Sequence, residues 1–233
     1  MEIKVIASGS KGNAYRISDG VTSLLLDAGV PLSRLRPALG FRVSALDGCL
    51  VTHAHKDHCR AVGELLRTGV NVFTSQGTID ALGLSSHRLR AVRALEELKI
   101  GTFSVLPFDV QHDAPEPLGF LLSSRATGEK VLYLTDSYYT KYTFRGLTHI
   151  MCECNYSEEA LRESVENGSV DPALAKRLRT SHMSLDHFLD LLRANDLSAV
   201  RKIYLLHLSS NNSEAERFRE ATERLVGCEV YIC

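Results

Sequence analysis

Short runs of β-branched and aliphatic residues recur along the chain at 3–7, 14–17, 23–27, 46–52, 71–73, 102–108, 119–123, 130–135, 148–152, 202–206 and 229–232, and each reads as a strand. Patterns of helical period lie between them at 32–39, 58–67, 75–82, 158–166, 172–179, 185–194 and 214–225. Ser184 and Ser213 stand where N-caps belong, with His187 and Glu216 three residues on; only the second pair makes a capping box. Strands dominate the first half and strand-helix alternation the second, so a layered α/β domain, a mixed sheet system covered by helices, is the economical way to bury these faces. No Pro/Gly/Ser-rich linker, low-complexity tract or internal repeat interrupts the pattern, and residues 1–233 read as a single domain.

The polar positions carry more information than the apolar ones. Asp27, His53, Asp136 and His207 each fall at the C-terminal end of an apolar run, and His112 follows such a run after a few residues. Strand ends along one rim are where α/β folds build their sites. The richest segment is Leu50-Val51-Thr52-His53-Ala54-His55-Lys56-Asp57-His58, spaced HxHxDH. In an extended stretch residues two apart point the same way, so His53 and His55 can present imidazoles to one ion. The turn into the following helix lets Asp57 and His58 face a second. Imidazole with carboxylate suits Zn(II), and the oxygen share also tolerates Mn or Fe. The bland reading is a solvated His-rich loop, but three His and one Asp in six residues, behind a buried strand, favour metal.

Composition narrows the classes. The 27 Lys and Arg balance 28 Asp and Glu, so overall positive charge does not hold a nucleic acid; an anionic partner must be drawn by a local field such as bound cations. No apolar run approaches the length of a membrane span and no membrane partner is expected. Six scattered cysteines without a CxxC pair predict free thiols and a cytoplasmic location.

With these motifs in view, the chain resembles the metallo-β-lactamase-fold hydrolases, whose signature reads THxHxDH after a strand. The resemblance implies a four-layer αββα fold, two mixed β-sheets sandwiched between helices, with two divalent metal ions, zinc first and manganese as the alternative. It gives Asp27, in LLLDAG, the part of orienting the HxHxDH loop without touching metal. One ion falls to His53, His55, His112 and Asp136, the other to Asp57, His58, Asp136 and His207. The opening ASGSKGNA, HDAPEP around His112, Ser181-His182-Met183-Ser184, and His207-Leu208-Ser209 followed by Asn211 and Asn212 are similar to the YycJ/WalJ type, regarded as DNA-processing nucleases related to RNase Z and RNase J.

That resemblance implies phosphodiester hydrolysis by a metal-bridging hydroxide, with Asp57 and His182 as catalytic residues and His182 as general acid. His182 also has a plain reading as a polar residue before a helix. The partner is then a nucleic acid or nucleotide, most naturally DNA cut by an exonuclease; a homodimer is left open. The Ser8 to Asn13 turn can offer N–H groups and hydroxyls to a phosphate, which makes Ser10 and Asn13, with Asn211, candidate substrate contacts; equally it is a tight turn shaped by its glycines. Lys176, Arg177 and Arg179, and the basic stretch 86–93, read as a nucleic-acid track or as solvated faces. Tyr138, Tyr139 and Tyr142 stand near enough to Asp136 to touch a base, or pack half-buried. Glu153 ends a strand, beside the metal centre or merely approaching a helix, and its neighbours Cys152 and Cys154 read as ordinary thiols. Competing functions are a phosphodiesterase for a small cyclic nucleotide, a thioester hydrolase of the same fold, and a binding protein with structural metals.

Overall fold

The computed structural model describes residues 1–209 and 214–233. The chain divides into two compact units, residues 1–109 with 114–129, and residues 110–113 with 130–233.

The first unit holds β1 (Glu2–Ala7), β2 (Ala14–Ser18), β3 (Ser23–Leu26), α1 (Leu32–Ala38), β4 (Gly48–Leu50), α2 (Lys56–Cys59), α3 (Val62–Arg67), β5 (Val72–Thr74), α4 (Gln76–Leu82), β6 (Leu89–Ala91), β7 (Leu98–Ile100), β8 (Phe103–Asp109) and β9 (Leu118–Ser124). Strands β1 to β6 form a sheet in that order. β1, β2 and β3 pair antiparallel and β3, β4, β5 and β6 parallel. The central parallel strands β4 and β5 are fully buried, whereas the edge strand β6 is exposed at Arg90 and Ala91, and Leu25, Cys49, Val51 and Val72 join Leu35, Val62 and Leu65 of the helices in one core cluster. β7, β8 and β9 run antiparallel, and β8 alternates buried with half-buried positions.

The second unit holds β10 (Lys130–Leu134), β11 (His149–Glu153), α5 (Glu158–Glu166), α6 (Pro172–Ser181), α7 (Leu185–Arg193), β12 (Lys202–Leu206), α8 (Ala215–Val226) and β13 (Glu229–Ile232). β10, β11, β12 and β13 are parallel neighbours, and every residue of β11 is buried. α7 buries Leu185, Phe188, Leu191 and Leu192, a stripe of helical period, and Ser184 caps its first turn by accepting from the His187 N–H. The Ser213 cap lies outside the described residues.

Three expectations shift. The helix expected over 58–67 is two, α2 and α3, because the Ala61 N–H donates to the Ala28 carbonyl at 2.8 Å instead of continuing the helical ladder. Strands β6 and β7 replace a stretch left unassigned; three residues each, they are too short for a period to show. The two arginines of the basic cluster on α6 are engaged in ion pairs: Arg177 binds Asp113 at 2.7 Å and Arg179 binds Glu158 at 2.8 Å, which favours the solvated face over the nucleic-acid track. No helix among the described residues is long and apolar enough to cross a membrane.

Asp19, in the β2 to β3 turn, ties that hairpin to β8 and β9. Its carboxylate accepts from the Val21 and Thr22 N–H groups at 3.0 and 2.8 Å, from Thr102 Oγ1 at 2.5 Å and from Ser124 Oγ at 2.6 Å. Burial alone would raise its pKa, but hydrogen bonds from Ser124, Thr102, Thr22 and Val21 together outweigh it and lower the pKa to about 2. A depressed carboxyl pKa stabilises the fold above the unfolded value and loses that stabilisation as pH falls through the folded one. The contribution is about 2 kcal/mol, fading between about pH 4 and 2. Asp19→Ala should cost about 2–3 kcal/mol in urea unfolding at pH 7 and flatten the acid limb over that window; an unchanged midpoint at pH 7 would contradict the assignment.

Candidate active site

Within the first unit, three loops meet through their backbones. The Asn13 N–H donates to the Asp57 carbonyl at 2.7 Å, the Ala28 N–H to the His58 carbonyl at 2.7 Å, and the Gly29 N–H to the Asn13 carbonyl at 2.8 Å. A Cβ on Gly29 would lie 1.5 Å from the Asp57 carbonyl oxygen, so only glycine lets the loop after β3 pass this close beneath the HxHxDH segment. Asp27, just past β3, has φ 56°, a left-handed turn that a non-glycine residue holds only under constraint.

The constraint is visible in its side chain. Fully buried, the Asp27 carboxylate accepts from the Thr52 N–H at 2.8 Å and from the Thr52 hydroxyl at 3.1 Å, and binds His58 Nδ1 at 2.7 Å. With the Thr52 proton directed to Asp27, Thr52 Oγ1 is the acceptor for His53 Nδ1 at 3.0 Å. Both imidazoles therefore carry their proton on Nδ1 and keep the Nε2 lone pair. At His58 that lone pair faces the Asn13 amide, 2.9 Å away, with Asp57 Oδ2 at 3.5 Å. His53 Nε2 and His55 Nδ1 stand 3.1 Å apart, a spacing that suits one shared cation. Asn13 is itself fully buried; its oxygen accepts from the Gly9 N–H at 2.9 Å and the Tyr15 hydroxyl at 3.0 Å. Those contacts make it a positioning residue for His58 and not a surface for substrate. Ser10 is exposed on the neighbouring turn, and Asn211 lies outside the described residues.

The second unit gathers His112, Asp136, Glu153, His182 and His207. Asp136 and His207 follow β10 and β12 with φ of 49° and 52°, again left-handed turns at strand ends. His112 Nδ1 donates to the Ser181 carbonyl at 2.9 Å, which points Nε2 toward Asp136 Oδ2 at 3.7 Å. Burial is the main reason its pKa lies below the ordinary value, even against the pull of Asp136, and a neutral imidazole is what a metal takes. His207 Nδ1 lies 3.6 Å from Asp136 Oδ1. Ligand atoms of Asp136, Glu153, His182 and His207 all fall within 4.8 Å of one another.

Glu153, at the end of β11, is the residue that sequence reasoning undervalued. Fully buried, its Oε1 binds His182 Nδ1 at 2.6 Å and His207 Nδ1 at 3.0 Å, while Oε2 accepts the Ser137 and Met183 N–H groups at 3.1 Å each. The strand-end rule that singled out Asp27 and Asp136 applies equally to MCECN; what hid Glu153 was that its partners, His182 and His207, lie far downstream in sequence. His182 itself leaves α6 in an extended conformation, stacks on His207 at 5.3 Å and remains 16% exposed. Burial works against its charged form, but the charge and hydrogen bond of Glu153, with the charge of Asp136, hold its pKa above the usual histidine value. Burial would raise the Glu153 pKa, yet His182 and His207 keep it below the ordinary carboxylate range. Cys152 and Cys154 are buried and their thiol pKa values are driven up, chiefly by burial, so they stay protonated thiols.

The donors in both clusters are imidazole and carboxylate, with tautomers set by buried partners, and they fit a divalent ion of the zinc or manganese kind. With this fold and these strand-end clusters, the chain belongs to the superfamily whose model, the Beta-lactamase superfamily domain, matches residues 22–208. The fold is the metallo-β-lactamase fold, two mixed β-sheets flanked by helices. Among individual proteins, the chain is 26% identical over 229 residues to an exodeoxyribonuclease WalJ of Streptococcus pneumoniae, covering 91% of this chain and 83% of that one. It is 25% identical over 241 residues to an exodeoxyribonuclease YycJ of Bacillus anthracis, covering 97% and 89%. The metallo-β-lactamase fold protein YhfI of Bacillus subtilis superposes with a TM-score of 0.77 at 18% identity, covering 99% of this chain and 95% of that one.

Removing the Asp27 carboxylate should loosen the tautomer control over His53 and His58. Asp27→Ala is expected to weaken zinc binding by about 10- to 100-fold, read by chelator competition, in protein whose circular dichroism is retained. Unchanged zinc affinity would show that the carboxylate serves folding alone.

Proposed function

We propose that the chain is a dinuclear-metal phosphodiesterase that acts on nucleic acid, a DNA exonuclease. The observation that carries this reading is the buried Glu153 behind His182. A carboxylate bound to Nδ1 at 2.6 Å favours the doubly protonated ring, whose pKa stands above the usual histidine value, and that ring has an Nε2–H to give up while Nδ1–H stays with Glu153. An alkoxide leaving a phosphodiester needs a proton; a thiolate leaving a thioester, with a pKa near ~8.5 for an ordinary thiol, does not. A built proton donor therefore favours phosphodiester over thioester chemistry. The DNA preference is supported by the two exodeoxyribonuclease relatives, which the chain matches over most of their length.

On this reading residues 1–233 work as one domain. Following the family's motifs, His53, His55, His112 and Asp136 would hold one ion and Asp57, His58, Asp136 and His207 the other. When bound, divalent ions would supply positive charge against the phosphodiester oxygens and lower the pKa of water. The protein's own residues do the rest. Asp27 and Thr52 fix the imidazoles of the HxHxDH segment, Ser181 fixes His112, and Glu153 holds both His207 and His182. His182 delivers its Nε2 proton to the leaving oxygen. Zinc and manganese both suit the donors. A DNA substrate and six free cysteines go with a cytoplasmic location.

Metal-loaded protein should degrade linear DNA, spare closed circular DNA, and leave a cyclic nucleotide and a thioester intact. Degradation of the cyclic nucleotide with DNA untouched would transfer the reading to a small-molecule phosphodiesterase. His182→Ala should keep its metal and lose about 10²–10⁴ in rate. Glu153→Gln should lose much of the same rate, yet add little in the His182→Ala background, because the two act as a unit. Full activity of His182→Ala would leave that histidine a structural residue.

A further inference from the structure

The second unit contains a cavity of about 410 Å³ between the loop that follows Asp136 and helix α7. Its walls are Tyr139, Tyr142, Met183 and Leu191, with Lys141 and Asp190 among the polar groups lining it. The catalytic scheme above uses none of these side chains. The volume lies in the range of small-molecule sites, ~300–1,000 Å³. Met183 and Leu191 are buried, whereas Tyr139 is 52% exposed, a large aromatic surface for a side chain so close to a reacting centre.

The loop bearing the tyrosines is anchored at several points. The Ser137 N–H donates to Glu153 Oε2 at 3.1 Å and its hydroxyl to the Tyr139 carbonyl at 2.7 Å; His187 Nδ1 donates to the Tyr138 carbonyl at 3.0 Å; and the Phe144 N–H donates to Asn195 Oδ1 at 2.5 Å. Lys141 Nζ lies 5.1 Å from the centre of the Tyr142 ring, a cation-π contact that places positive charge at the cavity. The loop begins one residue after Asp136, and Met183 is the residue after His182. A group held in this cavity is thus attached to the same two backbone segments that carry the proton donor and the strand-end aspartate. In a nucleotide, a sugar's width separates the phosphate from the base.

From this we infer that the cavity is a nucleobase subsite, in which the base of the nucleotide next to the scissile phosphodiester packs on Tyr139 and Tyr142; the inference rests on the nuclease reading and specifies how that site holds its substrate. Aromatic faces accept every base, and a cavity of this size admits purine and pyrimidine alike, so recognition here is of a base as such and not of sequence.

The test compares linear single-stranded DNA carrying ordinary terminal nucleotides with the same oligomer ending in abasic residues at both termini. Wild-type protein should show a KM roughly 5- to 100-fold higher for the abasic oligomer, the loss expected from one base stack. Tyr139→Ala with Tyr142→Ala, or Ala194→Trp filling the cavity from its exposed rim, should raise KM similarly for the ordinary oligomer and leave the abasic one unchanged. A second readout needs no turnover: the chain has no tryptophan, so Tyr139→Trp installs a lone reporter. Its fluorescence should be quenched saturably by dAMP and dTMP and not by deoxyribose 5-phosphate, with weaker binding once Tyr142→Ala is added. Equal cleavage of both oligomers by the wild type would overturn the subsite and leave the nuclease reading standing. Saturable quenching without cleavage of any DNA would retain the base site and remove the nuclease reading. Absence of quenching by either nucleotide would overturn the subsite.

Discussion

A carboxylate buried away from water must be paired, or it destabilises the fold by several kcal/mol, and each of the two units has one at its histidine cluster that satisfies this requirement. Asp27 meets it with the Thr52 N–H and hydroxyl and His58 Nδ1. Glu153 meets it with two histidine rings and two backbone N–H groups. In each case the requirement works in both directions. The acid is held by its donors, and the donors lose their rotational and tautomeric freedom to the acid. A neutral histidine whose proton is fixed on Nδ1, as in His53 and His58, has one lone pair, on Nε2, and one direction in which to offer it. The chemistry of the outward-facing imidazole atoms is thus decided one residue deeper, by buried carboxylates.

Backbone geometry serves the same end. Asp27, Asp136 and His207 all leave their strands through a left-handed residue, a conformation that costs a side-chain-bearing residue about 1 kcal/mol or more. Three such turns at strand ends, each on a residue with a reactive side chain, let the chain reverse within one position while the side chain stays at the rim. Gly29 complements them from below. Its missing Cβ is occupied by the Asp57 carbonyl, which fixes the height at which the HxHxDH loop sits above β3. Strain in three places and a close approach in a fourth are stable only because buried hydrogen bonds over-determine them.

Much of this was legible in the chain, for identifiable reasons. Apolar strands that end in Asp or His announce a rim, and THAHKDH combines a period of two with a turn, so the metal-type residues stand out from sequence alone. The parallel strands β10, β11 and β12 were found almost to the residue because strands buried on both faces are continuous apolar runs. What was not legible depends on distance along the chain. Asn13 reads as a loop residue open to substrate until Tyr15 and His58, 45 positions away, close around it. Glu153 reads as one more strand-end acid until His182 and His207 arrive from 29 and 54 positions downstream. The break between α2 and α3 is set by Ala28, whose carbonyl takes a hydrogen bond the helix would otherwise have kept.

These features also bear on how a chain of formal charge −1 deals with a polyanion. A protein that grips duplex DNA along its length needs cations in excess, because affinity grows with each phosphate neutralised. Here the α6 arginines are bound to Asp113 and Glu158, so that face offers little net charge. An enzyme that removes terminal nucleotides has less need of a long track. It must hold one phosphodiester, which divalent ions and histidines can do locally, and one base, which aromatic surface can do without charge. Neutral composition, strand-end histidines and a tyrosine-lined cavity next to them are therefore mutually consistent with the proposed action at the end of a chain rather than along its contour.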